Sequence, residues 1–528
     1  MRQSSAKLSV LANWIVRISG GAIFLFLTWY SMRYTQYVNP GGEEMPLNVR
    51  DSMSRNLLLL LLLAAVFVWL MKLEEKIVPA MRELVMRVSV VLAMFWVGGW
   101  SFWWVLSADR IPEGDQAFVY GGASYFLEGN YEFLQPGGYC DLYPHQLALI
   151  AMTEILFLFA GTYNYLAFQL VCAALAIAIV YIGYKIVREI TDRMSVVVIY
   201  SVTMLGCLPL IFYTSWVYGD IPSVFFALLA AWMLLRYSHG GDWRYLAGVA
   251  GALTIGMLVR KNSAILVAAF CIIAVVWGIC RKDKKILVAA LLSVLLPTLV
   301  YAGVYKMYEV RSGYEHSKGL PTLSWVAMGM QETGGKYGWY NNYPKQVYFE
   351  HDCDKAATEA VVRQEIKDRM KLFLANPAYG WTFFREKILS QWNEPLYESM
   401  YFATKYKGDY RPPEDSFVAK LSGTYFTKVL WICDRLQFLL YFGMLCYFVF
   451  AVKPDSSLLQ HLLAVAVIGG FLFSIFWEAK ARYVLPYYVT MFSLSAVGYE
   501  QLLKQIIDML TGGKKQQKDN VTKFRKAA

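Results

Sequence analysis

Long apolar runs dominate the chain. They fall at roughly 12–31, 57–71, 88–107, 163–184, 194–213, 221–236, 244–259, 263–280, 286–305, 427–452, 458–477 and 483–503. Several approach the length of about 20 residues that a helix needs to cross a bilayer. Inside lipid the backbone must hydrogen-bond to itself, so such runs are helices or barrel strands. Their continuous apolar character, without alternation of period two, selects helices. The pattern predicts an all-α polytopic membrane protein with about twelve transmembrane helices.

Two long polar segments interrupt the runs. The first extends from Ala108 to about Tyr143, the second from about Lys306 to Thr427, which is long enough for a small domain. Within the second, Thr358–Leu374 has helical periodicity that Asn376-Pro377 should end. Met328–Tyr343, rich in Gly, Asn and aromatics, reads as loop. The predicted divisions are an N-terminal transmembrane extension (1–87), a transmembrane core (88–305) with a first external loop (108–143), an external, mainly helical domain (306–427), C-terminal helices (428–503) and a basic tail (504–528).

Composition and charge sharpen this picture. Hydrophobic residues make up 57% of the 528 and charged ones only 17%, against about a quarter in soluble chains. The net charge of +11 is concentrated in Met71–Arg87, Lys185–Arg193, Arg281–Lys285 and the tail. With twelve spans these four all fall on one side, which the positive-inside bias makes cytoplasmic. Both termini are then cytoplasmic, in a cell (plasma) membrane, and the long polar segments face outward. No groove-reading motif accompanies the charge, so no nucleic-acid partner is expected. Six of the eight Cys lie in or beside apolar runs; Cys140 and Cys353 fall in the polar segments and could pair in an oxidising compartment. No Cys or His spacing suggests a metal.

Candidate chemistry gathers at the outer ends of the predicted helices. In the first loop Asp109, Glu113 and Asp115 precede an amphipathic, interfacial stretch, Ala117–Leu127, that offers Phe118, Tyr125 and Phe126 to lipid. Asp115 suits a helix N-cap, and it equally suits a carboxylate held ionised by the helix dipole, able to take a proton from a hydroxyl. Asp220, in Tyr213–Ser223, precedes a helix that Pro222 can open; it can be a cap, or can orient an acceptor or a divalent metal. Arg260 and Lys261 lie outside, against the charge bias. They either snorkel or meet an anionic leaving group such as a lipid phosphate. Glu478, Lys480 and Arg482 cluster before Pro486, and the Arg482 fork suits phosphate oxygens. The large loop adds Trp325, Met328, Gly329, Trp339, Tyr340 and Asn341, as sugar-stacking surface or as domain core. His145 is the His nearest the candidates.

The run Asp115-Gln116, Tyr120, Tyr125-Phe126-Leu127-Glu128-Gly129 and Tyr143-Pro144-His145-Gln146 resembles the first external loop of the GT-C superfamily. That superfamily includes the protein O-mannosyltransferases and the transferase that adds aminoarabinose to lipid A. The chain departs at Gln116, where many relatives have Glu, and has Pro-His where they often have Pro-Pro. An Arg-Tyr-x-x-Pro sequence, here from Arg482, resembles a pattern near the last helices of many such enzymes. The resemblance implies Asp115 as catalytic base and an acidic residue, here Asp220, nearby, with Glu113 and His145 as further acceptor- or metal-orienting candidates. Arg260, Lys261, Lys480 and Arg482 would bind a donor phosphate. The expected activity is inverting sugar transfer from a polyprenyl-phosphate donor, amid membrane lipid, to a hydroxyl of a cell-envelope glycan, lipid or protein. A divalent cation is compatible with these residues and not required by them. A flippase or transporter of lipid-linked glycans would instead place ionisable groups near the midplane and often show an internal repeat; a glycan polymerase or ligase would use loop arginines such as Arg363, Arg369 and Arg385.

Overall fold

The computed structural model describes residues 2–315, 319–404 and 413–527. Among them, nine helices are long and apolar enough to cross a membrane: Lys7–Ser31, Met53–Lys76, Pro79–Ala108, Tyr165–Ile190, Asp220–Gly240, Lys261–Arg281, Lys284–Ser312, Phe426–Ala451 and Leu458–Phe476. The count rises to eleven if two bent pairs each make one span. The all-α class holds; nine to eleven helices meet the length and composition of a span, so the count of twelve is not confirmed. Met194–Leu205 and Leu208–Ser215 are bent by 53° at Gly206-Cys207, and Trp243–Val259 is only 17 residues long. The last apolar run is the start of a 43-residue helix, Leu485–Ala527, that continues into the basic tail. The tail's side chains from 511 onward lie outside the described residues.

The sequence reading passed over Leu147–Ala160, a helix of 14 residues bent by 104° from the short turns before it. At 1.5 Å per residue it is too short to cross a bilayer alone. It packs instead against Asp115–Leu127, with Ile150 beside Gly122. Its one acid, Glu154, is held by Arg311 at 2.7 Å and by the Tyr308 hydroxyl. The stretch expected over Ala117–Leu127 is helical and begins two residues earlier, at Asp115, but only part of its apolar face is free: Phe126 is buried against Tyr308, while Phe118 stacks on Tyr139 at 4.3 Å.

Connections alternate between the two ends of the bundle. One end carries the short basic loops. There Glu74 of Met53–Lys76 reaches the start of a neighbouring helix and accepts from Met194 N (3.0 Å), Ser195 N (3.3 Å) and Ser195 Oγ (2.9 Å). It satisfies donors that a helix start leaves without intrahelical partners. At the same end Arg188 pairs with Glu83 at 2.8 Å.

The other end carries the long polar segments. A hairpin of Tyr34–Val38 and Pro46–Arg50 joins the first two helices. Thr35 donates to Asp51 and to Asp434, and Arg435 pairs with both aspartates, which ties the hairpin to Phe426–Cys446. The long polar segment after Lys284–Ser312 is mainly helical from Thr322 to Trp392, with Met328–Tyr343 largely loop as expected and a small hairpin of Glu332–Thr333 with Lys336–Tyr337. Lys355–Ala375 stops where expected: Asn376 leaves helical geometry and accepts from Tyr379 N, with Pro377 opening the next helix, Pro377–Trp392. The segment docks tightly. A Cβ at Gly329 would lie 2.6 Å from the Phe476 carbonyl. Gly338 O accepts from Ala479 N at 2.7 Å, beside a bridge between Trp339 and Ala479.

Because Glu74 is buried and serves three donors, Glu74→Ala should cost about 1–3 kcal/mol. This would appear as a lower thermal midpoint in detergent, with Glu74→Gln retaining most of the stability; equal midpoints for Glu74→Ala and wild type would contradict the assignment.

Candidate active site

Six chain segments meet at the end that carries the long polar loops. After Pro79–Ala108 the chain turns at Asp109 (φ 39°) and again at Gly114 (φ 57°), and Asp115 opens the interfacial helix. Gly114, not Asp115, is the N-cap. The Asp115 side chain is 43% exposed, and its carboxylate lies 3.8 Å from Arg482 Nη2. Tyr139 donates to it at 3.3 Å. The neighbouring Gln116 is fully buried and accepts from Val217 N at 2.7 Å. It joins the first loop to the segment that carries Asp220, a place where a neutral amide costs less to bury than a carboxylate.

Asp220 is buried as the first residue of Asp220–Gly240 and pairs with Arg260. The approach depends on Gly219, where a Cβ would sit 1.8 Å from the Val259 carbonyl. Arg260 leaves Trp243–Val259 in extended geometry (φ −156°), with its guanidinium over the rings of Tyr218 (5.9 Å) and Tyr483 (5.7 Å). Arg482 lies over Trp216, Tyr218, Phe402 and Tyr483 at 5.2–5.7 Å. Both guanidiniums therefore share the Tyr218 and Tyr483 faces, a favourable setting for a cation out of water. Gln146 donates to the Tyr218 hydroxyl.

Lys480 precedes a short turn and is extended (φ −154°), so it and Arg482 converge on Phe402 despite being two residues apart. Lys480 also lies over Trp339 and pairs with Glu44 from the tip of the N-terminal hairpin, 436 residues away in sequence. Glu398 lies 4.0 Å from Lys480 and accepts from Arg482 N at 3.0 Å. Tyr397 and Glu398 both take positive φ (50° and 59°) while buried, backbone strain of a kind that concentrates at functional sites.

Burial sets the protonation of this acidic group. It pushes Glu398 up to about 8, opposed by the Lys480 charge, and Glu394 also to about 8. Glu478 is pushed up to about 7 by burial, with Lys480, the Tyr483 hydrogen bond and Arg482 pulling the other way. Burial raises Glu44 too, but the Lys480 charge and the hydrogen bonds from Glu398 and Lys480 outweigh it and hold Glu44 low.

Of the residues singled out by sequence, Asp115, Asp220, Arg260 and Arg482 come together, with Lys480 and Glu478 adjoining. The other three stand apart. Lys261 is exposed, close enough to His145 for their charges to interact. His145 reaches the site through Gln146, at 3.2 Å. Glu113 has a buried carboxylate oxygen without a hydrogen-bond partner. Trp339 and Met328 are buried, Trp339 donating to Ser390 at 2.9 Å, and Asn341 donates to Gln331 and Thr333. Trp325 and Tyr340 remain partly open, Trp325 stacking on Trp477. Cys140 and Cys353 are free thiols. Sequence reasoning missed Glu44, Glu394 and Glu398. Two acids four apart in Asn393-Glu394-Pro395-Leu396-Tyr397-Glu398 were the available signal. Among the described residues no group of three or more His, Cys, Asp or Glu is arranged to hold a metal ion.

Residues 145–301, which hold His145, Asp220, Arg260 and Lys261, match the model of a family described as dolichyl-phosphate-mannose-protein mannosyltransferase. No curated protein matches the chain. The matched segment and the bundle support a membrane glycosyltransferase of the GT-C type. Within that class, the chain is similar to the protein mannosyltransferase family over this core segment.

Two outcomes follow from the geometry. Gly219→Ala must push the Asp220 loop off the Val259 carbonyl, a steric clash of the kind that costs about 1–3 kcal/mol. A lowered thermal midpoint together with loss of transfer is expected, and wild-type values for both would contradict the fit. The second concerns pH. A carboxyl whose folded pKa lies above its unfolded value keeps a proton that the unfolded chain has lost, so stability falls as pH rises toward the folded value. Burial therefore makes Glu398 a source of falling stability between about pH 5 and 8. The neutral isostere Glu398→Gln should flatten that fall relative to wild type in thermal melts; identical pH profiles would count against a raised Glu398.

Proposed function

We propose that the protein transfers a sugar from a polyprenyl-phosphate donor to a hydroxyl acceptor on the extracytoplasmic face of the cell membrane. The observation that carries this reading is the half-open Asp115 carboxylate 3.8 Å from buried Arg482, beside the Arg260–Asp220 pair. A base and two guanidiniums thus share one rim of a helix bundle, where a lipid-borne phosphate resides. The short basic loops occupy the opposite end, which supports a cytoplasmic orientation of that end and of both termini. The charged groups gather at one rim rather than at mid-depth, which favours transfer over transport.

In the proposed reaction Asp115 takes the proton of an acceptor hydroxyl. The acceptor oxygen forms a bond to the anomeric carbon from the side opposite the phosphate. The bond between that carbon and the phosphate oxygen breaks, and the electron pair leaves with the lipid phosphate. Charge growing on that oxygen is offset by Arg482 and Arg260, with Lys480 adjoining. Attack opposite the leaving group inverts the anomeric centre. The acceptor is a glycan, lipid or protein of the cell envelope, and Asp220 keeps Arg260 aligned.

The test is Asp115→Asn in purified protein supplied with polyprenyl-phosphate sugars, with release of bare polyprenyl phosphate as readout. Loss of a general base should lower turnover by about 10²–10⁴-fold without loss of expression. Undiminished turnover in this variant would remove the mechanism.

A further inference from the structure

Arg260 and Lys261 are consecutive, yet they enter different surroundings. Arg260 is extended (φ −156°), a geometry that sends successive side chains to opposite faces. Its guanidinium pairs with buried Asp220, while Lys261 is exposed beside His145. Lys261 also lies close enough to Lys355 for their charges to repel. A further lysine, Lys345, stands 5.6 Å over the Tyr143 ring, which is itself 6.4 Å from the His145 ring. Lysines from three separate segments thus gather around the turn Tyr143-Pro144-His145.

Among the described residues no carboxylate pairs with Lys261 or Lys345. Asp354, next to Lys355, is engaged by Ala356 N (2.7 Å) and Ala357 N (3.1 Å). Lys261 and Lys355 each open a helix, Lys261–Arg281 and Lys355–Ala375. A helix start is the end where the dipole disfavours a cation. By itself the arrangement is unfavourable twice, through repulsion of like charges and through helix polarity, and a bound anion relieves both. The cluster borders the base rather than the guanidiniums. Tyr143 packs on Tyr139 at 5.1 Å, and Tyr139 donates to Asp115 at 3.3 Å. Arg260 and Arg482 share the rings of Tyr218 and Tyr483 instead.

We infer that Lys261, Lys345 and Lys355 form a second anion site, which holds an oxyanion carried by the acceptor beside the Tyr139–Tyr143 stack that leads to Asp115. The acceptor is then an anionic sugar, bearing phosphate or carboxylate, rather than a neutral one. This rests on the transferase reading above and adds to it the charge of the acceptor. It also parts Lys261 from Arg260, which the sequence grouped on the donor phosphate. An acceptor anchored at the lysines presents its hydroxyl toward Asp115, while the donor phosphate stays with the guanidiniums.

The experiment titrates the full chain, in nanodiscs of phosphatidylcholine, with mannose 6-phosphate, glucuronate and mannose, and separately with polyprenyl phosphate. Wild type is compared with Lys345→Gln and with the double variant Lys261→Gln, Lys345→Gln. Wild type should bind the two anionic sugars about tenfold more tightly than mannose, and the double variant should lose about that factor. Polyprenyl phosphate binding should stay within about twofold in both variants. A wild type without preference for the anionic sugars, or a preference that survives in the double variant, overturns the assignment. Equal weakening of polyprenyl phosphate also overturns it, because the lysines then serve the donor. So does displacement of the anionic sugars by phosphatidylglycerol added to the disc, which gives the lysines to membrane headgroups. Failure of the underlying reading looks different: wild type then releases no polyprenyl phosphate from any sugar-bearing donor. If wild type releases it, Asp115→Asn does not, and the double variant keeps the wild-type sugar preference, the anion site alone is lost.

Discussion

Charge taken out of water must be compensated where it is buried, and that constraint organises the end of this bundle that carries the long polar segments. Moving one ion into a protein interior carries a penalty of several kcal/mol unless partners offset it. Arg260, Arg482, Lys480 and Asp220 are all buried there. None of them finds its partners within its own helix. Arg260 meets Asp220 across two helix ends, Arg482 meets Asp115 from the first loop, and Lys480 meets Glu44 from the N-terminal hairpin. The rings of Trp216, Tyr218, Phe402 and Tyr483 fill the remaining faces of the guanidiniums. Removing any one partner would leave a buried charge unmatched, so the elements bearing them must converge.

Much of this was legible along the chain. Apolar length alone defined the helical class, because lipid leaves the backbone no alternative. The Asn376-Pro377 stop was readable because its mechanism is local: Pro cannot continue the helix and Asn caps the next one. Asp220, Arg260 and Arg482 stood out because each is a charge at the edge of an apolar run, and Asp115 because it opens a stretch that resembles a known first loop. Glu44 and Glu398 did not, since both lie in polar segments where a carboxylate is unremarkable. Only tertiary packing brings them under Lys480. Leu147–Ala160 was missed for a related reason. Its apolar stretch is too short to read as a span, and what defines it is a sharp turn beside Pro144 and its packing on the interfacial helix.

The N-terminal pair of helices looked from sequence like an addition to a smaller core. In the fold it is fastened twice, by Thr35 and Asp51 to Asp434 and Arg435, and by Glu44 to Lys480. The long segment 306–427 is likewise part of the rim, since Gly338 and Trp339 pair with Ala479, which directly precedes Lys480.

Glu44 and Lys480 lie in the first and last tenths of the chain. A ribosome releases them far apart in time, and the membrane receives the hairpin long before its partner exists. The charged rim can therefore be completed only when synthesis is nearly over. Contacts of such long sequence separation are slow to form, so the growing polypeptide acquires its working pocket as one of its final acts of maturation.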